Sequence, residues 1–83
     1  MPVDQRSVTR KRLFRIGEIH IEGYSYPVDC LVRDTSNGGA LIEVGHTDIV
    51  PETFRLTISS SGLDVPCRVI RRTAHMLGVA FVA

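Results

Sequence analysis

Residues 26–44 read YPVDCLVRDTSNGGALIEV. Tyr26, Val28, Cys30 and Val32 alternate with Pro27, Asp29, Leu31 and Arg33. That period of two is what a strand with one buried face requires. After a polar break the alternation resumes, with Ala40, Ile42 and Val44 set against Leu41 and Glu43. The break itself, from Asp34 to Gly39, has the composition of a turn. An Asp can close an Asx-turn, and Asn37-Gly38-Gly39 accepts positive φ cheaply. The stretch therefore reads as two strands joined by a turn.

The same pattern recurs on both sides. Leu13 to Ile21 reads as a first strand, with Phe14 and Ile16 on one face and Ile19 and Ile21 resuming the alternation after a bulge at Gly17. Glu22-Gly23 is a turn. Beyond Val44 a longer connection runs from Gly45 to Pro51, and Phe54, Leu56 and Ile58 mark a fourth strand. Ser59-Ser60-Ser61-Gly62 turns the chain into Val65, Cys67 and Val69, and a turn around Arg72 to His75 leads to Leu77–Val82. No segment carries a convincing helical period. Six short strands at this spacing predict an all-β, antiparallel β-barrel, because closure removes exposed strand edges. Phe14, Phe54 and Phe81 are expected in its core. The expected organisation is a flexible, Arg-rich arm over residues 1–12 and a barrel domain over 13–83.

Composition narrows the function. The chain has 83 residues, 43% of them hydrophobic and 23% charged, which is ordinary for one small globular domain. No apolar run approaches a membrane span, and the N-terminus lacks the apolar core of a signal peptide, so a cytoplasmic protein without membrane association is expected. A formal net charge of +1 is too small for strong non-specific attraction to nucleic acid. Its distribution is uneven: Arg6, Arg10, Lys11, Arg12 and Arg15 crowd the N-terminus, and Lys11 is the only lysine. Guanidinium forks match phosphates and guanine edges as an ammonium cannot.

A reactive constellation is missing from the sequence. His20, His46 and His75 lie apart without metal-ligand spacing, and Ser36 has no neighbouring His to activate it. Asp34 and Glu43 have nothing to tune one of them as an acid. Cys30 and Cys67 fall at apolar strand positions, where a cysteine behaves as a small hydrophobe. Neither an enzyme nor a metal or cofactor site is expected. A barrel binding single-stranded nucleic acid would need aromatic platforms, and only Tyr24 and Tyr26 are left to supply them.

Two local signals remain. Arg6-Ser-Val-Thr-Arg10 is Arg-x-x-x-Arg just before the first strand, and Asp34-Thr-Ser36-Asn-Gly-Gly39 is Asp-x-Ser-x-x-Gly between strands two and three. A basic tail explains the first and turn chemistry the second. Together, in this order and in a six-strand chain, they are far more restrictive.

On these residues the chain resembles the PilZ domain, a bacterial receptor module for cyclic di-GMP. The resemblance also takes in Cys67-Arg-Val-Ile-Arg71 and the closing Leu77-Gly-Val-Ala-Phe81, and a short stand-alone member is the best match. It implies a six-stranded antiparallel PilZ-type barrel with a flexible basic N-terminal arm. It further implies that cyclic di-GMP is bound by Arg6, Arg10, Asp34, Ser36 and Gly39, with Arg12 and Gly38 as additional contacts. The chemistry is apt: guanine O6 and N7 accept an Arg fork, while an ionised Asp34 accepts from the base's N–H edge. The expected function is a receptor that folds its arm over the ligand and signals through the changed surface to a downstream protein partner, in motility, surface attachment or a related output. The alternatives are a PilZ-like adaptor that works without nucleotide and a barrel that binds single-stranded nucleic acid. Gln5, where many relatives carry Arg, leaves the stoichiometry open. Which of Arg12, Arg15, Arg71 and Arg72 face the site also stays open.

Overall fold

The computed structural model describes residues 14–82. Its elements are β1 (Arg15–His20), β2 (Val28–Thr35), β3 (Gly39–Glu43), a one-turn 3-10 helix (Thr47–Ile49), β4 (Thr53–Ile58), β5 (Leu63–Arg72) and β6 (Met76–Phe81). The strands close into an antiparallel barrel in the order β1-β2-β3-β6-β5-β4. Closure comes from β1 pairing with β4 through Glu18–Thr57, Ile19–Leu56 and His20–Arg55. The all-β, six-stranded architecture is thus the one expected from the alternation. Among the described residues no helix is long and apolar enough to cross a membrane.

Inward positions of every strand supply the core, including Ile19, Cys30, Val32, Ile42, Leu56, Ile58, Cys67, Leu77 and Val79. Two turns use glycine for its conformational freedom: Gly23, at φ 89°, follows β1, and Gly62, at φ 73°, closes the β4–β5 hairpin. The far end of the barrel is sealed by the 3-10 segment. Buried Thr47 donates its hydroxyl to the carbonyls of Thr73 and Ala74. Arg72 donates to the carbonyls of Thr47 and Val50, so its guanidinium is spent closing that end.

The structure revises several local expectations. Gly17 is not a bulge, because β1 and β2 pair without interruption from Arg15–Val32 to Ile19–Val28. It is a buried inward position, where a Cβ would lie 3.1 Å from the Thr57 carbonyl oxygen and 3.3 Å from Cys30 Sγ. The space its side chain would need is already filled. Phe14 is not in the core. It is 51% exposed, and the Arg33 guanidinium stands 4.6 Å from its ring centroid. Ile16 is exposed beside it. Tyr26 precedes β2 and is exposed, as is Tyr24. His20 is half-buried, with Nε2 2.9 Å from the Thr57 hydroxyl.

Interruptions of register do occur, at two other places. Val32 pairs with Ile42 but Asp34 with Leu41, leaving Arg33 as an extra residue in β2. Val69 pairs with Val79 but Arg71 with Gly78, leaving Ile70 as an extra residue in β5. Each is a β-bulge, and each reverses the inside–outside phase of the residues after it.

Cys30 and Cys67 are both free and buried. Burial pushes the Cys30 thiol up to about 12 and the Cys67 thiol up to about 11. The unfolded thiols ionise near their ordinary value of 9.0, whereas the folded ones stay protonated. Their contribution to stability is therefore complete below pH 9 and is lost as pH rises through the window from 9 toward 12. The denaturation midpoint should fall across that window. At pH 8 iodoacetamide should label neither thiol in the native protein and both in denaturant; rapid labelling of the native protein would contradict the core assignment.

Candidate functional site

The turn after β2 is built from backbone contacts. The Ser36 amide donates to the Gly39 carbonyl at 2.9 Å, and the Phe81 amide donates to the Gly38 carbonyl at 2.8 Å. The turn is thereby tied down onto the end of β6. Neither Gly38 nor Gly39 has a positive φ, contrary to the turn-chemistry expectation. Gly39 is required for another reason. It pairs with Ala80, and a Cβ there would overlap the Val79 carbonyl oxygen, far inside contact distance. Gly38, in contrast, has open space where a side chain would stand.

Asp34 owes its orientation to the Arg33 bulge. By simple alternation Asp34 follows Cys30 and Val32, which point into the barrel. The extra residue instead sets it opposite Leu41, whose neighbour Ile42 is fully buried and which itself faces out. Directly opposed residues share a face, so the Asp34 carboxylate projects from the outer surface. Asp34, Thr35, Ser36, Gly39, Ala40 and Leu41 line a shallow recess of ≈ 220 Å³ there. Asp34 and Ser36 are exposed, and the recorded side-chain bond of Ser36 is a long one of 3.5 Å from its hydroxyl to the Gly39 carbonyl. Both side chains are available to a ligand.

Arg6, Arg10 and Arg12 lie outside the described residues. What is on view is the place where the arm joins the barrel. Arg15, the first residue of β1, pairs with Val32, two residues before Asp34. The N-terminal segment therefore enters the barrel on the strand paired with β2, whose end carries Asp34. The junction carries a contact that sequence reasoning missed. Arg33, the bulge residue, binds Glu43 at 2.6 Å while covering Phe14. It joins the residue before β1 to the strand that carries Asp34. Each half-exposed interaction contributes only about 0.5–1 kcal/mol, so the joint orients the junction more than it stabilises the barrel. Its one sequence signal is a long cation beside Asp34 on an outward position.

The other arginines divide by role. Arg55 is paired with Asp64 at 2.6 Å, and Arg72 closes the opposite end of the barrel, away from the rim. Among the described residues no group of three or more His, Cys, Asp or Glu side chains is arranged to hold a metal ion.

A small closed antiparallel barrel, with a short polar rim beside the root of a basic N-terminal segment, defines a compact binding module. The PilZ domain model matches residues 4–83, and the chain belongs to the PilZ domain family. No curated protein and no solved structure shows significant similarity to it.

Proposed function

We propose that the protein is a cyclic di-GMP receptor, a binding module rather than an enzyme. The observation that carries the reading is the β1–β2 pairing, which brings the root of the Arg-x-x-x-Arg segment next to the outward-turned Asp34. Arg6 and Arg10 supply guanidinium forks to guanine and phosphate, with Arg12 as an additional contact. The Asp34 carboxylate accepts from the guanine N–H edge, Ser36 adds a hydroxyl, and Gly39, which lets β3 lie close against β6, contributes its backbone to the ligand-binding rim. Gly38 presents open backbone at the same rim. Bound ligand holds the arm against the barrel and so creates a new surface for a downstream protein partner in the cytoplasm of a bacterium, with motility or surface attachment as the output.

Calorimetric titration with cyclic di-GMP tests this directly. Arg10→Ala and Asp34→Ala should each weaken binding by about ten- to a hundredfold, the loss of one charge-assisted contact of roughly 1.5–3 kcal/mol. GTP should give no heat. A wild-type protein silent towards cyclic di-GMP at high micromolar concentration would overturn the receptor reading and favour a nucleotide-independent adaptor.

A further inference from the structure

The outer face of the β1–β2 wall carries more than the junction described above. Buried Gly17 and Ile19 point inward, so Ile16 and Glu18 lie on the outer face of β1. Ile16 opposes Leu31, and Glu18 opposes Asp29. Leu31 in turn opposes Glu43 on β3. One step before Ile16 on the same face, Phe14 lies under the Arg33 guanidinium. The face therefore runs in three rows: Phe14 with Arg33, then Ile16 with Leu31, then Glu18 with Asp29. One end is cationic, the centre is apolar and the other end is anionic.

Three observations on this face point to a partner. Ile16 is 69% exposed and Phe14 51%, and adjoining apolar side chains left in water mark a contact surface. Ile16 also borders two grooves, one of ≈ 340 Å³ shared with Leu31, Asp29 and Glu43, the other of ≈ 380 Å³ shared with Phe14, Glu18 and Thr57. It stands as a ridge with room on either flank for a facing side chain. Finally, Glu18 and Asp29 are exposed carboxylates directly opposed on neighbouring strands, an arrangement that destabilises a sheet. Among the described residues Asp29 has no ion-pair partner, and Glu18 meets only the His20 ring, at 3.7 Å.

The order of the rows says what covers the face. A two-fold axis laid across the strands along the Ile16–Leu31 row turns a second copy over and reverses its strands. Ile16 and Leu31 then meet their own equivalents, and Arg33 of each copy comes over Asp29 and Glu18 of the other. Cationic end meets anionic end twice in one interface, which is the self-complementarity that an isologous dimer requires. Arg33 can serve two partners, because a guanidinium carries five N–H donors and the bond to Glu43 runs through Nη1. We infer that the outer face of β1 and β2 is a homodimer interface, centred on Ile16 and Leu31 and closed by reciprocal Arg33–Asp29 pairs. No residue of the two ligand motifs takes part, so the inference stands apart from the receptor reading. The face spans three strands and five residue positions, roughly 10 by 13 Å between backbone atoms. An interface of that footprint buries less than about 1,200 Å² in total, so the association is weak and depends on concentration.

Sedimentation equilibrium of the full chain from about 10 to about 500 µM tests this, over the range in which so small an interface fills. Wild type should pass from one chain toward two across that range, and added salt should oppose the change. Ile16→Glu, Arg33→Glu and the double variant Glu18→Arg with Asp29→Arg should each stay single, with circular dichroism confirming the barrel. Ile16→Ser, a milder change at the same exposed ridge, keeps the test decisive where a charged variant fails to fold. An equimolar mixture of Arg33→Glu with the double variant should associate again, because each reversed charge then faces its opposite on the other chain. Wild type that stays single at about 500 µM would overturn the inference. So would a dimer that persists in Ile16→Glu, since it would use another face. A mixture of folded variants that stays single while wild type dimerises would exclude the two-fold arrangement, and the inference with it.

Discussion

Gly39→Ala should lower the melting temperature by roughly 10–20 °C, whereas Gly38→Ala, one residue earlier, should leave it within about 3 °C. The two glycines look alike in sequence, and their surroundings differ completely. A methyl group at position 39 meets the Val79 carbonyl oxygen, a backbone atom that cannot rotate away. Relief requires β3 and β6 to separate where Gly39 pairs with Ala80. That movement would strain the adjacent bond from the Phe81 amide to the Gly38 carbonyl. Overpacking of this kind costs about 2–3 kcal/mol. At position 38 a methyl group meets nothing. The difference matters for reading binding data. A loss of affinity in Gly39→Ala reports a distorted rim, while a loss in Gly38→Ala at unchanged stability would report direct approach of ligand to that backbone. Equal melting temperatures for the two variants would show that β6 does not lie where the structure places it.

The contrast also shows what sequence can convey about such a barrel. The strands themselves were legible, because Cys30, Val32, Ile42, Leu56, Ile58, Cys67 and Val79 fall on period-two positions and are buried. Order around the barrel depends on distant partners, and alternation does not encode it. Nothing near Ile19 announces that it will face Leu56. Phe14 was misplaced because large aromatics usually seek the core. Here it stands before the first paired residue of β1, where the barrel has no interior left to offer, and it is covered by Arg33 instead. Gly17 looked like a bulge for want of a side chain, yet a crowded interior gives the same signature.

The true bulges did leave a trace. Asp34 continues the phase of Cys30 and Val32, and Arg71 continues that of Cys67 and Val69. A charge in phase with a run of core residues must either be buried at great cost or be turned out by an extra residue. The structure takes the second course at both positions. The Asp-x-Ser-x-x-Gly pattern identified the rim chemically, but its outward aim followed only once pairing fixed where the extra residue sits.

The second large effect is expected at the closure of the barrel. Leu56 is fully buried on β4 and stands opposite both Ile19 of β1 and Val65 of β5. Leu56→Ala should cost about 3–4 kcal/mol, the transfer and cavity penalty for an unrelaxed core site. A chain of this size has a total stability of roughly 4–12 kcal/mol, so the variant should melt about 15–25 °C lower. The β1–β4 seam has three register pairs, against five in β1–β2 and six in β4–β5. Amide exchange should therefore accelerate first along Glu18–His20 and Arg55–Thr57; uniform acceleration would show that the seam is no weaker than the other walls. Ligand then separates this variant from Gly39→Ala. The Leu56 site leaves the rim intact, so cyclic di-GMP at a hundredfold excess over its Kd should restore about 2.7 kcal/mol. Gly39→Ala deforms the rim itself and should recover much less at the same concentration. Equal recovery in both variants would mean that the ligand does not lie on the β2–β3 turn, since damage to that turn would then cost binding no more than damage to the opposite wall.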